Sequence, residues 1–180
     1  MPRGARVPRI VPALNRVSAW GVDQRRYRDV SHRVFVADRS VRFREMEYAL
    51  PLEAFEEAFA GLQAVTRDLA RRGDLPSFPV VVRTAAADDV WLSTAHGREC
   101  ESVDIAGHRW HREDPTAHFR ACGEVFAGLG GRPHWGKEHT RDAAWVERAY
   151  PRFADFRAVW DAVDPGRVFT NDHLDRVFGA

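Results

Sequence analysis

Residues 41–73 have the sequence VRFREMEYALPLEAFEEAFAGLQAVTRDLARRG. Arginines alternate with Phe43, as in a strand with one buried face, whereas Met46 begins an apolar alternation in the opposite phase. The change of phase at Glu45 predicts either a bulge or a strand that is covered on both faces. We expect this strand to end an extended segment that spans residues 29–50.

A long amphipathic helix is expected directly after this strand. Pro51 suits the first helical position, because the N–H that proline lacks would have no partner there, and Gly73 is a typical residue for the helix end. Apolar residues recur at steps of three and four, at Leu52, Phe55, Phe59, Leu62, Val65 and Leu69. Such a stripe must pack against another apolar surface, so the helix should cover one face of a sheet.

Apolar runs farther along the chain predict a buried strand at residues 78–84 and two more strands at residues 90–93 and 102–106. Asp114, followed by a proline, predicts the N-cap of a helix that ends at Gly130. Two short helices are expected to close the chain. This order of elements predicts an α+β fold, in which an antiparallel sheet is flanked by helices on one face and is followed by C-terminal helices.

The composition favours one globular domain and excludes several classes of protein. The 180 residues are 44% hydrophobic and 29% charged, and 27 basic against 26 acidic residues give a net charge of +1. So small a charge argues against a nucleic-acid partner. No apolar run reaches the length of a transmembrane helix, and the only cysteines, Cys100 and Cys122, predict free thiols. We therefore expect a cytoplasmic protein.

The first residues form a basic segment ahead of the domain. Four arginines precede the first acidic residue, at Arg3, Arg6, Arg9 and Arg16. Prolines interrupt any long amphipathic helix here, so we expect an irregular segment over residues 1–28 and one domain over residues 29–180. The alternative is a transit peptide or a membrane-binding patch, which would make the protein peripheral to a membrane.

The segment GGRPHWGK at residues 130–137 differs from the rest of the chain. Its glycines permit close backbone approach, its proline stiffens the loop, and Trp135 and Lys137 place a flat ring beside an ammonium group. Such a loop suits a flat or anionic ligand. A turn with a purely structural role is the simpler interpretation of the same residues.

Several short motifs, in a constant order, resemble the C-terminal region of the aldonolactone oxidases. RPHWGK at residues 132–137 is followed by YP at residues 150–151 and DP at residues 164–165, and FP upstream precedes Arg83. The resemblance extends from about Arg33 to the end of the chain. Ordered matches over such a length are more specific than any single motif.

The resemblance implies an FAD-dependent oxidation of a CH–OH group in an aldonolactone or polyol, by hydride transfer to the flavin. It implies that Lys137 is a fixed cation beside the flavin ring, that His134 and Trp135 shape the adjoining wall, and that Arg83 contacts the reacting hydroxyl. Packing remains the alternative for the histidine and the tryptophan, and a structural salt bridge for the arginine. The family commonly has a glutamate where this chain has Val81, so a carboxylate is missing at that position.

The resemblance also implies a flavin fold of the vanillyl-alcohol-oxidase type, in which another domain binds most of the FAD. No phosphate-binding glycine loop precedes Tyr48, so we expect a substrate and cap domain that depends on a separate FAD-binding domain or chain. A truncated, non-catalytic cap remnant or assembly module is the alternative. A metal site at His108 and His111, or at His134 and His139, is a weaker interpretation, because further ligands are lacking.

Overall fold

The computed structural model describes most of the domain. The described residues are 28–36, 43–73, 80–108 and 114–179, together with positions 13, 16, 17 and 20. The expected irregular basic segment and its alternatives, a transit peptide and a membrane patch, therefore fall largely outside the described residues. None of the described helices is both long enough and apolar enough to cross a bilayer.

A four-stranded antiparallel sheet lies at the middle of the fold. Its strands are β1 (Phe43–Pro51), β2 (Val80–Ala85), β3 (Cys100–His108) and β4 (Arg132–Pro133), in the spatial order β2-β3-β1-β4. β1 and β3 pair without interruption, from Phe43 opposite His108 to Pro51 opposite Cys100. The predicted bulge at Glu45 is therefore wrong. Residues 46–50 are all buried, so β1 is covered on both faces, as the alternative predicted.

Six α-helices occur among the described residues. They are α1 (Ser31–Phe35), α2 (Phe55–Arg71), α3 (Thr116–Gly128), α4 (Ala143–Ala149), α5 (Phe153–Val163) and α6 (Asp172–Phe178). The helix expected from Pro51 begins later, because Pro51 ends β1 and a 3-10 turn at Leu52–Ala54 intervenes. The Asp114 carboxylate accepts the Thr116 N–H at 3.0 Å, and Gly130 ends the segment with φ +75°. Three helices rather than two close the described chain.

The main core lies between one face of the sheet and helices α2 and α3. Alternate residues of β1 and β3 meet the two helices there, with Met46, Tyr48, Leu50, Val103 and Ile105 from the strands and Ala58, Leu62, Phe119, Cys122 and Phe126 from the helices. Period-two alternation in the strands and the apolar stripe of α2 both point into this layer. The predicted α+β fold with helices on one face of the sheet is confirmed.

A second apolar cluster joins the C-terminal helices to the 130–137 segment. It contains Val146, Tyr150, Phe153, Val177 and Phe178, with Trp135 packed against them. The Trp135 ring stacks on Phe178 with centroids 5.5 Å apart and planes at 9°. The C-terminal helices thus hold the tryptophan of the loop in place.

Two predicted strands are wrong. The apolar residues after position 29 form the short helix α1 instead of extended structure, and Val36 at its end is 70% exposed. The high β-propensity of valine and phenylalanine reflects how well they pack in a sheet, so it favours a strand only where a partner strand is present. No strand pairs with this segment within the described part of the chain. Residues 90–93 form a turn, because the Asp88 carboxylate accepts the Val90 N–H at 3.1 Å and the hydroxyl of Ser93.

The predicted strand at residues 78–84 is confirmed as β2 for its described part, but it is not buried. Val80, Val81 and Val82 are about 40% exposed, at 38%, 44% and 41%. β2 lies at the edge of the sheet, and β3 is its only partner among the described strands. A continuous apolar run therefore marks an edge strand here, and not a central one.

We expect Gly131→Ala to lower the free energy of unfolding by about 2 to 3 kcal/mol. A Cβ at this position would stand 2.6 Å from the Phe126 carbonyl oxygen and 3.1 Å from a methyl group of Leu50, so the start of β4 would have to move. Gly128→Ala is the matched control, because no atom lies within 4 Å of its added Cβ. Urea denaturation should show no loss of stability for the control, and equal losses for both variants would contradict the close packing at Gly131.

Candidate functional site

The sheet face opposite to helices α2 and α3 carries a charged network, and we call it the open face because the exposed Arg83 lies on it. Met46 and Tyr48 point into the helical core, so Glu45 and Glu47 must point to the opposite face. Asp104 is the β3 partner of Glu47 and shares that face. Arg83 from β2 and Lys137 from the loop after β4 complete the network.

The two cations of the network share its carboxylates. The Lys137 ammonium donates to Glu47 Oε2 and to Asp104 Oδ2, both at 2.8 Å, and it lies 3.3 Å from Glu45 Oε2. The Arg83 guanidinium donates to the same Glu47 oxygen at 2.8 Å and lies 3.5 Å from Asp104 Oδ2. Four chain segments therefore converge on one pair of carboxylates.

The backbone of the 130–137 segment determines where Lys137 stands. β4 pairs with β1 at Tyr48 and Ala49, and the chain then continues along the same edge. The His134 N–H donates to the Glu47 carbonyl at 2.9 Å, and the Glu138 N–H donates to the Glu45 carbonyl at 3.0 Å. This segment is thus part of the sheet edge, and it delivers the lysine to the open face.

Glu47 and Lys137 are both ionised at neutral pH. Burial would raise the pKa of Glu47, but the hydrogen bond and charge of Lys137, together with the charge of Arg83, hold it below its ordinary value of 4.5. Burial likewise works to lower the pKa of Lys137, and hydrogen bonds to Asp104 and Glu47 outweigh it and raise the pKa. Two cations against three carboxylates leave the network with a net charge of −1 (2 − 3), counting Glu45.

Exposure distinguishes the two cations. The side chains of Lys137, Glu47 and Asp104 are only 12%, 11% and 13% exposed, whereas that of Arg83 is 55% exposed. Lys137 is therefore enclosed by its carboxylates. Arg83 keeps donors that are accessible to a molecule on the open face.

A cleft of about 410 Å³ adjoins the network, and we call it the front cleft. Its lining includes Phe43, Glu45, Trp135, Gly136, Lys137 and His173. The Trp135 indole N–H donates to the Leu92 carbonyl at 2.8 Å, so its polar atom is already satisfied and only part of the ring borders the cleft. The ion pairs of Lys137 therefore lie next to a cleft that a ligand could enter.

The structure brings Lys137, Arg83 and Trp135 together, whereas His134 is not among the residues that line the front cleft. Lys137 and Arg83 meet at Glu47, and Lys137 and Trp135 border the same cleft. His134 is exposed and its Nδ1 accepts the Gly136 N–H at 3.1 Å, which stabilises the loop and leaves Nε2 available to a ligand.

The sequence reasoning missed Glu47 and Asp104. A signal was present, because each acidic residue stands between two apolar residues of a strand, Glu47 between Met46 and Tyr48 and Asp104 between Val103 and Ile105. Position 81 contributes no carboxylate, but Val81 pairs directly with Asp104. A carboxylate pair therefore does stand beside Arg83, supplied by β1 and β3 rather than by β2.

The histidine pairs considered for a metal are only partly described. The ring of His108 and the whole of His111 lie outside the described side chains. Among the side chains that the structure does describe, no group of three or more His, Cys, Asp or Glu residues is arranged to hold a metal ion.

Comparisons with known proteins give consistent matches. A sequence model of the D-arabinono-1,4-lactone oxidase family matches residues 2–177, which begin well ahead of Arg33. An L-gulono-1,4-lactone dehydrogenase of Mycobacterium tuberculosis is 44% identical over 177 residues, covering 98% of this chain and 40% of the relative. An L-gulonolactone oxidase of Mus musculus is 28% identical over 176 residues, covering 96% of this chain and 40% of the relative.

A third relative matches a shorter part of the chain. An alditol oxidase of a Streptomyces species is 38% identical over 95 residues, which are 52% of this chain and 22% of the relative. The chain thus spans about 40% of the length of the first two relatives.

We expect Lys137→Met to lower the free energy of unfolding by about 3 kcal/mol near neutral pH, because it leaves Arg83 as the one remaining cation that the described structure places beside the buried Glu47 and Asp104 carboxylates. The pKa of Glu47 is depressed when folded, so its stabilising contribution is present above pH 4.5 and is lost as the pH falls through the lower folded value. The difference between wild type and variant should therefore shrink as the pH falls below 4.5.

Arg71→Met is the matched control, because it removes an exposed cation that pairs only with Asp68 and should cost at most about 0.5 kcal/mol. Urea denaturation across this pH range measures both variants. A Lys137→Met loss that stays constant with pH would show that packing, and not charge, makes the difference.

Proposed function

The chain belongs to the D-arabinono-1,4-lactone oxidase family and forms its C-terminal region, and from this premise we propose that it is the substrate-binding part of an FAD-dependent oxidoreductase. The substrate is the CH–OH group of an aldonolactone or of a related polyol. One observation carries the proposal: Lys137 and Arg83, distant in sequence, converge on Glu47 at the open face of the sheet.

The charged network suits a polyhydroxylated substrate. A sugar lactone presents hydroxyl groups that both donate and accept hydrogen bonds, so its site needs both kinds of partner. Arg83 supplies exposed donors, while Asp104 Oδ1 is a buried acceptor with no hydrogen-bond partner among the described residues. We assign Arg83 to holding a substrate oxygen and Asp104, with Glu47, to orienting or accepting the proton of the reacting hydroxyl.

Lys137 keeps Glu47 ionised. Its ammonium bonds to Glu47 and Asp104, and it holds the pKa of Glu47 below the ordinary value against the effect of burial. An ionised carboxylate is the form that accepts a hydroxyl proton. Lys137 thus acts through the two acids as well as by its own charge.

FAD, when bound, supplies the acceptor for the hydride of the CH–OH carbon. The front cleft fits the edge of a flat ring, because Trp135 and Lys137 border it together, and His134 lies on the same loop with Nε2 available. We propose that these three residues form the wall that faces the flavin. The carboxylates around Lys137 reduce the attraction that its charge would exert on an anionic ring.

The proposal implies that FAD binding needs protein beyond these residues. The chain spans 40% of the length of the Mycobacterium tuberculosis L-gulono-1,4-lactone dehydrogenase, so we assign most flavin contacts to another domain, in the same or a separate chain. Cys100 and Cys122 are buried and free, which supports a cytoplasmic location, with peripheral membrane association as the alternative.

A non-catalytic cap or assembly module is the second candidate. Val81 favours it, because the family that the chain resembles commonly has a glutamate at this position. Val81 pairs with Asp104 and therefore points to the same face of the sheet. A carboxylate at position 81 would join the charged network directly, so its absence alters the site itself.

The test is a chimera in which this chain replaces the matched region of the Mycobacterium tuberculosis relative. We expect the chimera to bind FAD and to reduce a dye in the presence of an aldonolactone. Arg83→Leu should lower kcat/KM by about 100-fold, because one donor to the substrate is lost. Arg71→Leu, a change to an exposed arginine of α2, is the matched control and should leave kcat/KM unchanged.

The remaining outcomes separate the two candidates. If the chimera binds FAD but turns over aldonolactones only after Val81→Glu, the chain as it stands is a non-catalytic cap. If it binds FAD and neither version oxidises any lactone or polyol, the oxidase proposal is wrong. If Arg83→Leu retains full kcat/KM, the arginine has only a structural role.

A further inference from the structure

The outer side of β2 has backbone groups that no described strand pairs with. β2 (Val80–Ala85) ends the sheet, and we call the side that faces away from β3 the β2 edge. A strand with one antiparallel partner uses only alternate backbone groups in its ladder. About half of the N–H and C=O groups of β2 therefore point outward, as a template for another strand. All six residues of β2 are exposed.

Two valines of β2 lack the cover that their neighbours in the sheet have. Val80 pairs with Ile105 and Val82 pairs with Val103, so these valines share the face that meets helices α2 and α3. Ile105 and Val103 are at most 1% exposed, whereas Val80 and Val82 are 38% and 41% exposed. The apolar core therefore ends at β3, and the next two apolar side chains of the same face stay uncovered.

The sequence of β2 is typical of an interior strand. Val81 lies on the opposite face from Val80 and Val82, so the valine run is apolar on both faces, as in strands that are covered on both sides. Edge strands commonly carry a free charge, a proline or a bulge that discourages pairing. β2 pairs regularly with β3, and its one charged residue, Arg83, is held by Glu47. None of these devices therefore blocks the β2 edge.

Two sources of a partner strand differ in how they fit the β2 edge. The Mycobacterium tuberculosis relative matches this chain over 40% of its own length, so more than half of that protein lies outside the matched region and has room for such a strand. A second copy of this chain fits less well. Antiparallel pairing of two copies across most of β2 would place both Arg83 side chains on one face, opposite each other or two residues apart, where like charges repel.

We propose that the β2 edge pairs with a β-strand from the part of the family's proteins that lies outside this chain, supplied by the same or a separate polypeptide. The added strand continues the sheet and places apolar side chains beside Val80 and Val82. Its residue opposite Arg83 lies on the open face. This residue therefore borders the substrate site, a consequence that rests on the proposed function.

The test is amide hydrogen exchange of the peptide that contains β2, measured by mass spectrometry in the 180-residue chain and in the chimera with the Mycobacterium tuberculosis relative. The isolated chain is measured at a concentration at which light scattering shows a monomer. About half of the β2 amides should exchange there as in an unstructured peptide, and at least about 100-fold more slowly in the chimera. The measurement needs no turnover, so its failure is distinct from failure of the proposed function.

Val82→Lys tests whether the added strand covers the apolar side of β2. In the isolated chain Val82 is 41% exposed, so the lysine should change the melting temperature by at most about 3 °C. In the chimera the same lysine would lie against the added strand, and the outward β2 amides should exchange at least about tenfold faster than without it. Ala64→Lys, at an exposed position of α2, is the matched control and should leave the exchange of β2 unchanged in both proteins.

The unaltered Mycobacterium tuberculosis relative provides the same measurement without engineering, and its segment aligned with β2 should be protected throughout. Fast exchange of the outward amides in this relative, or in a chimera that unfolds cooperatively, would overturn the proposal. An equal effect of Val82→Lys in the isolated chain and in the chimera would do the same. Protection in the isolated chain that increases with its concentration would assign the β2 edge to a second copy instead.

Discussion

The pairing of the 130–137 segment with the edge of β1 is the constraint on which the site depends. The 130–137 segment pairs with this edge, and the carbonyls of Glu45 and Glu47 accept N–H groups from the residues that flank Lys137. Backbone hydrogen bonds thus fix the position of the lysine before its side chain makes any contact. Glu47 contributes twice, by its carbonyl to the loop and by its carboxylate to the ammonium. Displacement of the loop would therefore break both interactions together.

One strand separates two different environments. Successive side chains of β1 alternate between an apolar core beneath helices α2 and α3 and the charged network on the open face. Burial destabilises each charged group of the network. The network is nevertheless maintained, because its cations and carboxylates lie within hydrogen-bond distance of one another.

The C-terminal residues that carry the family resemblance have structural roles that the motifs alone do not indicate. The Asp164 carboxylate accepts the N–H groups of Val168 and Phe169 at 2.8 and 2.9 Å, and Asn171 caps helix α6. Helix α6 then packs Phe178 against Trp135. These residues maintain the helices that hold the loop, while the loop carries the groups nearest the proposed substrate and flavin. The resemblance therefore combines residues that bind with residues that support them.

By itself the sequence determined the α+β class, helix α2 and strands β1 and β3, whereas Lys137 and Arg83 are site candidates that the family motifs imply. These follow from periodicity, caps and motifs, which are local properties of the chain. It did not determine that residues 90–93 turn around Asp88, that β2 is an exposed edge strand, or that Glu47 and Asp104 meet Lys137 and Arg83. Only the tertiary structure decided these, because strand register and edge position result from pairing between residues far apart in sequence, and a spacing pattern contains no record of the partner.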